Sequence, residues 1–341
     1  MIDTAKKYNV SVIPGDGIGP EIAPPVLKVL ETLSDALGGF EFKFTILEAG
    51  DAVKERTGVA LPDETFREVK ESDVCLFIAV GETASEVILP LRQKLNLYAN
   101  IRPAKAYPNV ANSRADVDLV IVRENTEDLY KRVEDGTEDW AVAMRVITRK
   151  ASERIARAAF DLARKEGRKK VTCVHKANVL SVTCSLFKKA CQEVARGYPD
   201  LDFSDIYVDA CALKLVTNPK AFDVIVTTNL FGDILSDLTA GLVGGLGMAP
   251  SGNIGDDFAI FEPVHGSAPD IAGKNIANPS ATILSAKMML DWMGEHRASQ
   301  ILEEALIKVL TDGKALTPDL GGKAKTYDMA EAVSQKIMER R

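Results

Sequence analysis

Histidine is scarce in this chain: His175, His265 and His296 are the only three among 341 residues. A histidine-rich metal centre is excluded, and schemes that need a histidine base are thinly supplied. Cysteine is also sparse. Cys75, Cys173, Cys184, Cys191 and Cys211 contain no C-x-x-C pair, and their odd number excludes a complete disulfide framework. Cys184 and Cys191 lie seven apart on an expected helix, on the face that carries Phe187 and Val194, so they read as small buried residues. Positive charge is in deficit, with 42 Lys and Arg against 49 Asp and Glu and a net charge of -7. Without a basic stripe, nucleic acid is not an expected partner. No apolar run reaches the roughly 18 residues that a bilayer span requires, so no membrane is expected either. The opening MIDTAKKYNVSVIPGDG has no signal-peptide core, and a cytoplasmic location is the expectation. There is no internal repeat and no low-complexity tract.

What remains is an ordinary globular composition, 46% hydrophobic and 27% charged, in a chain long enough for two lobes or one large α/β unit. Apolar runs of strand length alternate with helical stretches. Strands are expected at 10–13, 40–47, 74–80, 118–123, 170–174 and 222–227, with Phe40, Phe42, Phe44 and Ile46 sharing one face of the second. Helices are expected after Gly19 and at 151–166, 180–196, 230–243, 281–293, 298–311 and 328–340. Such alternation indicates α/β architecture with much parallel pairing. The segment 132–150 has no helix of its own and reads as either a protruding β-arm or an edge hairpin.

Several segments could carry chemistry. Gly15-Asp16-Gly17-Ile18-Gly19 follows a strand and opens a helix. Its G-x-G-x-G spacing departs from the dinucleotide fingerprint, so it is either a ligand cradle or a plain turn. In Asn229-Leu230-Phe231-Gly232-Asp233-Ile234-Leu235-Ser236-Asp237, a helix places Asp233 and Asp237 on one face at i and i+4. Paired carboxylates without histidine or thiolate suit Mg²⁺ or Mn²⁺, unless they serve only the helix N-terminus. Asp209 would complete the set if folding brings it near. Arg92, Arg102 and Arg123 sit near strand ends or turns, and guanidinium forks suit a dicarboxylate, though each alone could be a surface charge. Lys176 follows a strand, where α/β sheets hold ligands, and Tyr130 is placed comparably. Residues 262–279, EPVHGSAPDIAGKNIANP, form a loop of small residues suited to a flat ligand.

Together these segments resemble the isopropylmalate/isocitrate dehydrogenase family of β-decarboxylating dehydrogenases. The likeness runs from IPGDGIGPEI to TPDLGG, through YANIRPAKAYP, VRENTEDLY, VHKANVL, YVDA, TTNLFGDILSD, GSAPDIAGK and IANP in family order. It implies two α/β domains that share a continuous mixed sheet, not of the Rossmann type. The cofactor-binding domain would comprise 1–100 and 244–341. The dimerisation and metal-binding domain would be 101–243, with 132–150 as an intersubunit β-arm. The partners implied are a 2-hydroxy dicarboxylate and a second copy of the chain in a homodimer with shared active sites. Dimer and tetramer, a pair of such dimers, both stay open.

By the same resemblance, Arg92, Arg102 and Arg123 clamp the malate core. Asp233 and Asp237 of one subunit and Asp209 of the other hold Mg²⁺ or Mn²⁺. Lys176 is the base in alcohol oxidation and Tyr130 the acid that protonates the enol. Asn178 and Val179 face cofactor or substrate. His265, Gly266, Ser267, Ala268, Asp270, Ile271 and Asn278 form the adenosine site. Asp270 and Ile271 stand where NADP-using relatives carry Lys and Tyr, so NAD is the expected cofactor. Substrate choice falls to the stretch before Arg92. There Pro90 is expected in a helix's first turn, with Val87, Ile88 and Leu89 offering apolar contact to a branched C3 group such as that of 3-isopropylmalate. Glu86 would repel the extra carboxylate of homoisocitrate or isocitrate, while Ser85 argues the other way. A non-catalytic regulatory subunit is the reading from a different class. It should lack some of Asp209, Asp233, Asp237, Lys176 and Tyr130, all of which are present.

Overall fold

The computed structural model describes residues 5–339. In chain order its strands are β1 (Lys6–Gly15), β2 (Phe40–Ile46), β3 (Val74–Ala79), β4 (Ala99–Lys105), β5 (Asp118–Glu124), β6 (Glu134–Gly136), β7 (Ala141–Ala143), β8 (Lys170–His175), β9 (Asp202–Tyr207), β10 (Val224–Thr227), β11 (Pro250–Ile254) and β12 (Ala259–Pro263). The helices are α1 (Gly19–Leu37), α2 (Asp51–Thr57), α3 (Asp63–Glu71), α4 (Ala84–Lys94), α5 (Arg149–Lys165), α6 (Thr183–Ala195), α7 (Val208–Thr217), α8 (Asn229–Leu242), α9 (Ser280–Trp292), α10 (His296–Asp312) and α11 (Thr326–Met338).

Ten strands form one mixed sheet in the order β2-β1-β3-β12-β11-β4-β5-β10-β8-β9. Its two flanks, β2-β1-β3-β12 and β5-β10-β8-β9, are parallel. Between them β11 runs antiparallel to β12 and β4, and β4 antiparallel to β5. Every residue of β3 and β10 is buried, as expected for parallel strands covered on both faces. Alternation along the strands assigns the faces. Leu76 and Ile78 of β3 pack with α1, α9, α10 and α11, whereas Cys75 and Phe77 pack beneath α4. In the other flank Val120 and Val122 of β5 meet α5 and α6, whereas Leu119 and Ile121 meet α7 and α8. One face of the sheet is therefore covered by α4 on one flank and α8 on the other. The polar side chains of the middle strands lie between them.

The expected helices agree with those observed to within one to three residues, and residue 340 of the last expectation lies outside the described residues. Phe40, Phe42 and Phe44 do share a face, with successive ring centroids 5.3 Å apart. All five cysteines are free and buried. The 132–150 segment contains a two-stranded β6-β7 ribbon apart from the main sheet, exposed along its length. No described helix is long and apolar enough to cross a membrane.

Asp209 follows strand β9, as expected, and lies in the first turn of α7. One local expectation needs correcting. Helix α4 begins at Ala84, so Pro90 lies inside it rather than in its first turn. The early start has a cause: the Asp51 carboxylate accepts hydrogen bonds from Glu82 N at 3.0 Å and Thr83 N at 2.8 Å, fixing the chain as it enters α4.

Candidate active site

The arginines stand on the face between α4 and α8. Arg102 of β4 and Arg123 of β5 point toward α8, while Arg92 reaches in from α4, and all three are buried. Arg123 donates Nη1 to Asp233 Oδ1 at 2.5 Å, and both its Nε and Nη2 to Asn229 Oδ1 at 3.0 and 2.7 Å. Gly232 permits this approach, since a Cβ there would lie 2.5 Å from Arg123 Cγ. Arg102 donates Nη1 to Ser236 Oγ at 2.7 Å and to Asp233 Oδ1 at 3.2 Å, with Asp237 Oδ1 3.7 Å away. Arg92 donates Nη2 to Glu262 Oε1 at 2.6 Å, and its buried Nε has no partner. Tyr130 follows β5 in a short 3₁₀ turn, donates its hydroxyl to Asp233 Oδ2 at 2.5 Å, and has its ring centroid 5.0 Å from Arg123 Cζ.

Electrostatics follow from this crowding. Burial, followed by repulsion from Arg102, pushes the Arg123 guanidinium down to about 10 against the attraction of Asp233. Burial favours a neutral Asp233, yet Arg123, Arg102 and the Tyr130 hydroxyl hold its carboxyl below the usual range. Asp237 moves the other way: burial raises it, Arg102 opposes, and the charge of Asp233 adds to the rise. Burial also lifts the Tyr130 hydroxyl, against the pull of Arg123. The two acids are oxygen-only ligands on one helical face, the donor chemistry of a hard divalent cation. A positive ion there would relieve the repulsion that Asp237 feels from Asp233.

Lys176 and Asp209 form a second group. Lys176 Nζ donates to Asp209 Oδ1 at 2.5 Å, which pulls the Asp209 carboxyl down. No hydrogen bond or ion pair of the described residues joins this pair to Asp233, Asp237 or Tyr130, and no cluster of three or more His, Cys, Asp or Glu side chains among them could hold a metal ion within the one chain. Asn178 and Val179 lie exposed just beyond Lys176.

The loop after β12 is built onto the first glycine turn. Ile18 N donates to Ser267 O at 2.9 Å, and a Cβ on Gly17, which has φ +55°, would sit 1.9 Å from that oxygen. Asp16 accepts from Asp51 N, Ala52 N and Gly81 N. The glycines thus serve close backbone packing that positions the 265–271 loop. On that loop Gly266 and Asp270 are exposed, His265, Ser267, Ala268 and Ile271 are half-buried, and the buried His265 Nε2 has no partner. Asn278 is buried and donates to Asp319 Oδ2 at 2.9 Å. The loop thus presents an exposed glycine and an unpartnered ring nitrogen to a ligand.

Val87 and Ile88 depart from expectation. They pack with Leu91 into the hydrophobic core under α4, because the helix begins earlier and turns positions 87, 88 and 91 inward. Leu89 alone of the three remains half-buried toward solvent. Glu86, read as a free repelling charge, is paired with Lys54 at 2.6 Å. Sequence reasoning also missed Glu262, Asn253 and Asn100 as partners of the arginines. The signal was present for Asn100, which shares a strand face with Arg102 at a spacing of two.

A mixed sheet bridged by antiparallel middle strands, with buried arginines facing paired aspartates, fits a dehydrogenase. The chain belongs to the isocitrate/isopropylmalate dehydrogenase family, whose description matches residues 9–333. It is 55% identical to the 3-isopropylmalate/3-methylmalate dehydrogenase of Methanocaldococcus jannaschii, covering 97% of this chain and 99% of that one. It is 52% identical to the isocitrate/homoisocitrate dehydrogenase of Thermus thermophilus, over 97% of this chain and 98% of that one. Among solved structures, isocitrate dehydrogenase from Methylococcus capsulatus superposes with a TM-score of 0.93 at 46% identity, covering 97% and 99% of the two chains.

Proposed function

We propose that this protein oxidises and decarboxylates 3-isopropylmalate with NAD, releasing 2-oxoisocaproate, CO₂ and NADH, a step of leucine biosynthesis. The observation that carries the reading is the contact of Arg102 and Arg123 with the Asp233–Asp237 face of α8, beside an Arg92 held by Glu262. Two carboxylates of a malate core would meet the guanidinium donors, with Arg92 Nε as one free donor. Asp233 and Asp237 would hold Mg²⁺ or Mn²⁺ together with Asp209 of a second copy. When bound, the cation supplies Lewis-acid polarisation of the C2 oxygen, and the nicotinamide accepts the hydride.

This chain's own residues account for the proton movements. Lys176 takes the proton of the C2 hydroxyl as the hydride leaves. The arginines keep the core in place while the carboxylate β to the keto group departs as CO₂. Tyr130, a phenol that keeps its proton at neutral pH and that burial lifts further, delivers that proton to C3. The separation of the Lys176–Asp209 pair from Asp233 supports a homodimer with shared sites, in which the pair of one copy serves the clamp of the other. Exposed Val142 and Met144 on the arm, with Val179, Val182, Leu213 and Ile234, offer apolar surface for that contact. The reading retains two domains, 1–100 with 244–341 and 101–243, and the 132–150 arm at the interface.

Leu89 supports the branched apolar substrate, as does the name of the 55%-identical relative. A tricarboxylate is the second reading, favoured by Ser85 and by the Lys54 cation beside Glu86. Metal removal tests the chemistry: EDTA should abolish turnover and Mg²⁺ or Mn²⁺ restore it. Asp233→Asn should weaken Mn²⁺ binding, measured directly by titration, with the fold retained. Full turnover in a verified metal-free sample would refute the reading.

A further inference from the structure

A row of buried polar side chains crosses the middle of the sheet and joins Arg92 to Arg102. Arg92 Nη2 donates to Glu262 Oε1 on β12 at 2.6 Å. The same oxygen accepts from Asn253 Nδ2 on β11 at 2.7 Å. Asn253 Oδ1 accepts from Asn100 Nδ2 on β4 at 2.8 Å and from Asn125 Nδ2 at 2.9 Å. Asn100 Oδ1 accepts from Arg102 Nε at 2.6 Å. Asn253 and Asn100 are direct cross-strand partners, and Asn100 lies opposite Arg123 on β5. Every member of the row is buried.

The direction of each bond is forced from both ends. A guanidinium can only donate and an ionised carboxylate can only accept. Glu262 therefore requires the amide nitrogen of Asn253, which turns the Asn253 oxygen toward Asn100. Arg102 requires the oxygen of Asn100, which turns the Asn100 nitrogen toward Asn253. The two demands agree at the Asn253–Asn100 bond, so the row has one consistent arrangement. Burial leaves no water to substitute for a lost partner. The row also crosses β12, β11 and β4, where the two parallel flanks of the sheet meet.

We infer that Glu262 and Asn253 are positioning residues for substrate: they lock the spacing and orientation of Arg92 and Arg102 across the sheet junction, so that both forks present to one dicarboxylate. The inference rests on the arginine clamp proposed above. It adds that the polarity of this row, and not only its packing, sets affinity for the malate core. No hydrogen bond among the described residues joins the row to the 265–271 loop, and only the charge of Glu262 is felt there, at His265, so substrate affinity should depend on the row more than cofactor affinity does.

An isosteric pair of variants tests this. Asn253→Asp keeps the shape but sets a carboxylate against Glu262 and removes the donor between them. It should raise the KM for the 2-hydroxy dicarboxylate, and the dissociation constant for malate, by about tenfold or more. The KM for NAD should change less than about twofold. Glu262→Gln alone keeps an acceptor for Arg92 and should cost less. The double variant N253D/E262Q restores the bonds between members of the row with the charge moved by one position, leaving only the long 3.3 Å bond from Asn253 Nδ2 to Ile260 O unmade: the amide introduced at position 262 would donate to the new carboxylate at 253 and still accept from Arg92. It should recover most of the lost affinity. Malate binding by the wild-type dimer, read by calorimetry, separates the failures. If the wild type binds no malate-type acid, the clamp itself is wrong and the row falls with it. Should the wild type bind and N253D bind equally well, or the two substitutions be simply additive, the row has no positioning role and the clamp stands.

Discussion

The hydroxyl of Tyr130 lies 2.5 Å from Asp233 Oδ2, on the same carboxylate that Arg123 engages through Oδ1. The residue proposed to deliver a proton and a residue proposed to hold the cation are thus in direct contact, above the face of a buried guanidinium. Lys176 takes no part in that cluster and leans on Asp209 instead.

Two steps should therefore separate by mutation. Lys176→Met is expected to suppress hydride transfer by at least about 100-fold, in line with the loss of a general base. Tyr130→Phe is expected to spare hydride transfer more and to slow protonation of the enol, so that supplied 2-oxo intermediate is processed poorly. Pre-steady-state NADH formation and decarboxylation of the intermediate distinguish the two. If both variants keep near wild-type kcat, the roles are misassigned.

At the base of the arm, Glu127 is buried and accepts hydrogen bonds from Thr148 N at 2.8 Å and Thr148 Oγ at 2.9 Å. Burial pushes its carboxyl up to about 7; the Thr148 N–H opposes this and the neighbouring Glu124 adds to it. A carboxyl whose folded pKa exceeds its unfolded value of 4.5 keeps a proton in the fold that the unfolded chain has released. Its contribution to stability therefore falls as pH rises from 4.5 to 7, and stays at the lower level above that. The full span is about 3 kcal/mol at most. Glu127→Gln, which can still meet Thr148 with one acceptor and one donor, should gain Tm relative to wild type on going from pH 5 to pH 8. Melting curves at both pH values check this; a constant offset would show that Glu127 does not titrate in that window.

Much of this was legible in the sequence, for identifiable reasons. Asp233 and Asp237 share a helical face by spacing alone, and the long ordered segments fixed the family. The interior of the sheet was harder to read. Strands β4, β11 and β12 carry Asn100, Arg102, Asn253 and Glu262 where an apolar run would announce a strand, because those buried positions hold the hydrogen-bonded row that joins Arg92 to Arg102. Val87 and Ile88 were misplaced because Pro90 resembles a helix start. The true start is set by Asp51, a residue more than thirty positions away that captures the Glu82 and Thr83 amides. Contacts of that range leave no local periodicity. The glycine turn at Gly15–Gly19 was ambiguous for a similar reason: the partner that demands Gly17 is Ser267 O.

The proposed choice of NAD rests on Asp270, which is exposed at the turn of the 265–271 loop. A carboxylate there would accept hydrogen bonds from ribose hydroxyls and repel a 2′-phosphate. NAD should exceed NADP in kcat/KM by at least about tenfold, and Asp270→Lys should narrow that gap. Steady-state rates with both nucleotides measure it; equal values for the two in the wild type would remove the role given to Asp270.

The most direct measurement is a substrate panel with NAD and Mn²⁺, comparing kcat/KM for 3-isopropylmalate, homoisocitrate, isocitrate and malate by NADH formation together with CO₂ release. The account predicts the highest value for 3-isopropylmalate, with one CO₂ released per NADH. A higher kcat/KM for either tricarboxylate, or NADH formed without CO₂, would contradict it.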